Sequence, residues 1–228
     1  MDESRIAHVL MNYAILLFSL CLHEFSHAAM ADRMGDPTPR MMGRLTLNPK
    51  AHADPIGTVL FPLISMYFQV NFLFGWAKPV PITPENFKNP RKGGALVAFA
   101  GPMSNMFLCF LSLAILAILD GASFFQLGAA TQNTLVMFLN TFFWINFVLA
   151  VFNLIPVFPL DGSWILKAAL PGPWAYRLSQ YDRYGAMLLF GVLVFFKNLL
   201  GYIFGPVVAL FFLLLHLVGL GHLSQYLG

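Results

Sequence analysis

Hydrophobic and polar residues are segregated into long blocks along this chain. Apolar runs cover about residues 6–30, 58–74, 94–119, 134–155 and 186–220. A helix needs roughly 20 mostly apolar residues to cross the hydrocarbon core of a bilayer, so the longer runs predict membrane helices. The polar blocks read differently. Asp32–Pro55 is punctuated by glycine and proline, which argues against continuous helix. Trp76–Pro84, WAKPVPITP, is expected to be extended because its prolines exclude helix. The 58–74 run carries Pro62 and ends at Asn71 and Gly75. The 134–155 run passes into NLIPVFPLDG, Asn153–Gly162, whose prolines must unwind the helix at membrane depth. Irregular backbone survives there only when it is buried in protein or lines a watery cavity. The last run is interrupted by Lys197, Asn198 and Gly201 and fits one long span or two short ones.

Composition supports lipid as the main solvent. The chain is 58% hydrophobic and 10% charged, against about 25% charged in a usual soluble domain. The expected fold is an all-α polytopic membrane protein. It would be a bundle of about four to six transmembrane helices, with a re-entrant or extended segment between the first and second core helices. Residues 1–228 read as a single integral-membrane domain without a cleavable signal peptide. The net charge of +3 resides in loops and sets orientation rather than pointing to nucleic acid. Cys21 and Cys109 fall in apolar runs and read as small packing residues.

Polar chemistry inside apolar runs is what remains to be explained. His23-Glu24-Phe25-Ser26-His27 fits H-E-x-x-H. Residues four apart lie one turn above each other on the same helix face. Two imidazoles so placed can hold one zinc ion, and the glutamate between them can take a proton from a zinc-bound water. Ser26 merely fills a variable position of that motif. A catalytic zinc normally takes three protein ligands, so a third carboxylate or histidine is needed at similar depth. Asp161 stands out, after an apolar run in the proline-broken segment. Read alone, it serves equally as a turn or helix-cap residue in PLDGSW.

HEFSH together with NLIPVFPLDG resembles the site-2 protease family of intramembrane zinc metalloproteases. That family pairs H-E-x-x-H on one membrane helix with N-x-x-P-x-x-x-x-D-G on a later one. Gly101-Pro102-Met103-Ser104-Asn105 also fits the family's G-P-x-x-N element. The resemblance covers about residues 20–165 and is closest to short bacterial members without a PDZ domain. It implies that His23, His27 and Asp161 bind one zinc ion per chain and that Glu24 is the general base. It further implies peptide-bond hydrolysis of transmembrane protein substrates within or near the bilayer. A transporter or metal-binding channel using the same polar cluster is the alternative, although it would have no need of Glu24.

Three ligands must meet at one ion, which constrains topology. His23 and His27 lie near the end of the first span, and Asp161 lies just past the end of the 134–155 span. Those ends must share a membrane side, because opposite ends sit about 30 Å apart. Residues 32–93 should then make no net crossing, so 58–74 dips in and returns or lies along the interface. Charge bias agrees. A simple crossing divides the 13 Lys and Arg residues 8 to 5, whereas no net crossing puts all those from Arg33 to Arg183 on one face, 11 to 2. The expectation is a multi-pass cell-membrane protein with its active site near the cytoplasmic face.

Secondary candidates follow. Asn105 could donate to a developing oxyanion, or it could bond across packed helices. His52, beside Asp54, is expected to be a surface or turn histidine, with a gate or substrate contact as its functional alternative. WAKPVPITP could pair with an extended substrate. His8 and His216 read as packed or interfacial residues, and His222 as a tail residue.

Overall fold

The computed structural model describes residues 3–67, 75–121, 128–195 and 197–227. Long apolar runs give long helices. α1 spans Glu3–Met34, and among the described residues three helices are long and apolar enough to cross a membrane, over Ile6–Met34, Pro90–Asp120 and Ala130–Asn153. The expected 6–30, 94–119 and 134–155 spans are thus all present, each extended or shifted by a few residues. No strand occurs among the described residues. The architecture is a polytopic helical membrane bundle.

Between the first two spans, short helices replace a crossing. α2 (Thr38–Met41) and α3 (Pro49–His52) follow α1, then a π-helical turn (Pro55–Leu60) runs into α4 (Phe61–Tyr67). This segment moves down along α1 and back. Leu47 accepts a hydrogen bond from Cys21 Sγ (3.1 Å), and the carbonyl of Thr58 accepts one from Tyr13 Oη (2.9 Å). The return begins where the descent passed: Trp76 N–H donates to the carbonyl of Gly57 (3.3 Å), and Thr58 Oγ1 donates to the carbonyl of Trp76 (2.9 Å). Val80 then lies against Glu24, and Thr83 against Asp36 just beyond the end of α1. From Tyr13 to Glu24 is about 16 Å along a helix, so the excursion enters the bundle and comes back without a net crossing. Residues 68–74, part of the expected 58–74 run, lie outside the described residues. Gly75–Thr83 is extended, as the prolines require, and a single 3-10 turn, Pro84–Asn86, precedes the next span.

α5 (Pro90–Gly121) and α6 (Ala129–Asn153) form the centre of the bundle with α1. α7 (Asp161–Ala169) and α8 (Gly172–Ser179) follow the proline-broken segment. Arg91 Nε donates to the carbonyl of Ala168, which ties the end of α7 to the start of α5. The final apolar run carries α9 (Asp182–Phe195) and α10 (Lys197–Leu217), on either side of residue 196, which lies outside the described residues. α9 begins beside Lys167, which pairs with Asp182. α10 packs Phe211 on Phe143 and Phe147 of α6, with ring centroids 5.1 and 5.5 Å apart. Tyr226 in the tail then reaches Asp120 at the far end of α5. α9 and α10 therefore run from the Asp161 end of the bundle to the opposite end. Cys21 and Cys109 are both buried, as packing residues should be.

Candidate metal centre

Helical periodicity brings His23 and His27 together. Both rings leave the same face of α1 one turn apart, both are buried, and their Nε2 atoms are 3.0 Å from each other. Asp161, the first residue of α7, joins them. Its Oδ2 lies 3.2 Å from His23 Nε2 and 3.4 Å from His27 Nε2. These atoms form a cluster with the spacing of a metal site.

The hydrogen bonds behind the rings fix which nitrogen carries the proton. The carbonyl of Phe142 can only accept, so Asn146 must place Nδ2 on it (2.9 Å). Asn146 Oδ1 then faces Asn105, whose Nδ2 donates to it (2.9 Å). That leaves Asn105 Oδ1 to accept from His23 Nδ1 (2.6 Å). His27 Nδ1 likewise donates to the carbonyl of Val97 (2.7 Å). A neutral imidazole at either position is therefore the Nδ1–H tautomer, with its Nε2 lone pair directed into the cluster.

Two ring nitrogens and one carboxylate oxygen thus converge, and Asp161 Oδ2 has no hydrogen bond among the described residues. A buried acceptor without a donor costs about 1–3 kcal/mol, and one cation at the centre satisfies all three. Ligand atoms held 2.0–2.1 Å from a tetrahedral zinc lie roughly 3.3 Å apart, which the observed triangle matches. Two imidazoles and one carboxylate suit zinc and leave a fourth position open for catalysis. The residues present fit the ion.

The surrounding backbone is shaped for this cluster. A Cβ added at Gly101 of α5 would fall 2.6 Å from His23 Cε1 and against the His27 ring, so no larger residue can pass the imidazoles at this distance. At Gly162 a Cβ would collide with the carbonyl oxygens of Leu154 and Ile155, so glycine lets α7 start hard against the end of α6. That packing sets Asp161 at the level of the histidines.

Glu24 faces the loop. Its Oε2 accepts from Val80 N–H at 3.1 Å. Asn105 is fully buried, with its carbonyl on His23 and its amide on Asn146. The expected free oxyanion donor is therefore not what this side chain presents. His52 ends the short α3 turn, in line with a turn histidine, but it is buried rather than at the surface. It is 2% exposed, its Nε2 donates to the carbonyl of Thr46 (2.8 Å), and its own carbonyl accepts from Lys78 N–H (2.8 Å). The strap at Lys78 roofs it over. Ser26 Oγ donates to the carbonyl of Leu22 one turn back, which agrees with its lack of a nucleophilic role. Asn146 was missed by sequence reasoning, although an asparagine inside an apolar span is itself a signal of function.

Comparison with known proteins now adds an independent line. The model for Peptidase family M50 matches residues 11–196, a range that includes HEFSH, Gly101–Asn105 and Asn153–Gly162. The chain belongs to peptidase family M50. This is the site-2 protease family. One relative is YwhC of Bacillus subtilis, named as a candidate zinc metalloprotease. It is 37% identical over 202 residues, which make up 87% of either chain. Another is Rip2 of Mycobacterium tuberculosis, also named as a candidate zinc metalloprotease. It is 32% identical over 195 residues, or 86% of this chain and 70% of the relative. No solved structure matches the chain. As an M50 protein with three membrane-length apolar helices, this chain is an intramembrane zinc metalloprotease and a multi-pass membrane protein. A transporter or channel reading of the same cluster is not favoured.

Proposed function

We propose that His23, His27 and Asp161 hold the catalytic zinc of this M50 protease and that Glu24 is its general base. The observation that carries this reading is the convergence of two buried imidazole nitrogens and one buried carboxylate oxygen, 3.0–3.4 Å apart. A zinc ion held there would supply Lewis-acid activation of a water and of the scissile carbonyl. Glu24 accepts the proton of the attacking water and returns it to the leaving amine. With Oε2 engaged by Val80 N–H, Oε1 is the oxygen left to move the proton. Asn105 is assigned to orienting His23 rather than to the oxyanion, because both ends of its carboxamide are used.

Family M50 members act on membrane-protein substrates in the bilayer. For this chain the reading extends to one membrane metalloprotease domain over 1–228, with its active site near the cytoplasmic face. Two observations support that side. The 47–80 excursion returns to the level of Glu24, and the resulting topology gathers Arg33 to Arg183 on one face. Cysteine labelling at Lys50 and Lys88 tests it, and opposite sidedness of the two would remove this topology.

The activity test compares wild type and Glu24→Gln in membranes by proteomics, with zinc measured in both purified proteins. Cleavage fragments should be missing from the variant while zinc is retained. Persistent cleavage by Glu24→Gln, or wild-type protein that does not take up zinc, would sink the assignment.

A further inference from the structure

Two prolines remove backbone donors from the centre of the strap Gly75–Thr83. Pro79 and Pro81 have no N–H. Lys78 N–H is taken by the carbonyl of His52 (2.8 Å), and Thr83 N–H by Asp36 Oδ2 (2.7 Å). At the centre of the strap this leaves Val80 N–H, and Glu24 receives it. The other end of the same peptide unit, the carbonyl of Pro79, accepts from Arg44 Nη2 (3.1 Å), which also donates to the carbonyl of Lys78. A peptide unit is planar, so gripping its oxygen sets the direction of its N–H. Arg44 is 6% exposed, and its Nε has no partner among the described residues. A guanidinium withdrawn from water at such cost is poorly explained by loop packing alone, since either strap carbonyl could be left to water.

We propose that Arg44 is a positioning residue for the general base, fixing the plane of the Pro79–Val80 peptide so that its N–H holds Glu24 Oε2 and leaves Oε1 for the proton. This rests on Glu24 being the base. Arg44 touches neither substrate nor the reacting water; it acts through the strap.

The test uses the purified, zinc-loaded full chain in lipid nanodiscs, cleaving a fluorogenic transmembrane reporter peptide. Arg44→Met should lower kcat by about 10²-fold, the scale of a misplaced catalytic group, with KM within about twofold and zinc still one per chain. Arg44→Lys, which can still reach one carbonyl, should restore part of kcat. Val80→Pro, which deletes the N–H, should show a similar kcat loss. The double variant should lose no more than either single, because both act through one contact. Unchanged kcat in Arg44→Met, a rise in KM alone, loss of zinc from Arg44→Met, or multiplicative losses would each overturn the proposal. If Val80→Pro loses zinc, the lysine variant decides: partial recovery supports the proposal and no recovery overturns it. Glu24→Gln separates the two levels. If it still cleaves, the base assignment itself fails. If it is inactive while Arg44→Met is fully active, only the positioning role fails.

Discussion

The two walls of the metal centre are built on different logic. On the helical wall, groups of α5 and α6 make hydrogen bonds that end on the ring nitrogens of α1: Asn146 to Asn105 to His23, and the backbone carbonyl of Val97 to His27. On the loop wall, the buried charges of Asp36 and Arg44 end mostly on the strap and its flanks, at Thr83 N–H and at the carbonyls of Lys78 and Pro79. One wall orients the ligands and the other orients the chain that faces them. The helical wall is buried while Lys78 and Pro79 of the strap are exposed, and the consequences of removing a partner should differ. Damage to the helical wall should appear in zinc affinity. Damage to the loop wall should appear in turnover or stability with zinc retained.

The largest expected effect lies where the walls meet. Glu24→Gln should lower cleavage by about 10²–10⁴-fold, the usual contribution of a general base, with zinc content unchanged. Retained zinc is the sharpening result. If zinc were lost with the carboxylate, Glu24 would belong to the ligand set and the division between the walls would blur.

Gly101→Ala is next, and tests the helical wall alone. The added methyl overlaps both imidazoles, and displacement of about 1 Å at such a site costs on the order of 10²-fold in activity. Zinc titration of purified protein should show weakened binding together with the loss of turnover. Normal zinc affinity in this variant would mean that α5 can back away from α1, and that the close approach is incidental. Asn105→Ala acts on the same wall from behind His23. Loss of a partner to a ligating histidine typically costs 10–100-fold in metal affinity or activity, and competition with a zinc chelator measures it. Asn105→Ala with normal zinc affinity would leave Asn105 a helix-packing residue.

The same division explains what was legible in the sequence. The spans were visible because lipid imposes long apolar runs, and α5 and α6 begin and end within a few residues of the expected limits. His23, Glu24 and His27 stood out by helical spacing, whereas Asp161, which read alone serves equally as a turn or cap residue, was singled out by the resemblance of NLIPVFPLDG to the family motif. The absence of a net crossing in 32–93 could be argued from charge and from the need for three ligands to meet. The extended strap followed from PVP. The partners of the loop wall were not legible. Arg44 and Asp36 are two charges in a polar segment with several others, and their partners lie 34–50 residues further along. His52 was expected at a surface or turn because burial by a later strap leaves no local mark. Asn146 could have been found, being polar within an apolar run, but its role depends on a register between α5 and α6 that the sequence does not state.

The smallest effect is expected at Asp36, which tests whether the loop wall is independent of zinc. The side chain is fully buried. Oδ1 accepts from Thr38 N–H, Thr38 Oγ1 and Asn86 Nδ2, and Oδ2 accepts from Thr83 N–H. Burial alone would raise the carboxyl, but these donors outweigh it and hold its pKa below the usual aspartate range. A folded-state pKa below the unfolded one gives stability that is fully present above the ordinary aspartate value. That stability is lost as pH falls through the lowered folded value. Asp36→Asn puts an amide donor where one oxygen now accepts, so at neutral pH it should cost about 1.5–3 kcal/mol, the range for hydrogen bonds to a charged group. The gap from wild type should shrink toward strongly acidic pH, where the wild-type carboxyl is also neutral. Thermal unfolding in detergent across that pH range measures the gap, and chelator competition at neutral pH should find zinc affinity unchanged. If zinc affinity instead fell as far as in Asn105→Ala, anchoring of the strap would be part of how the histidines are held, and the two walls would be one structure.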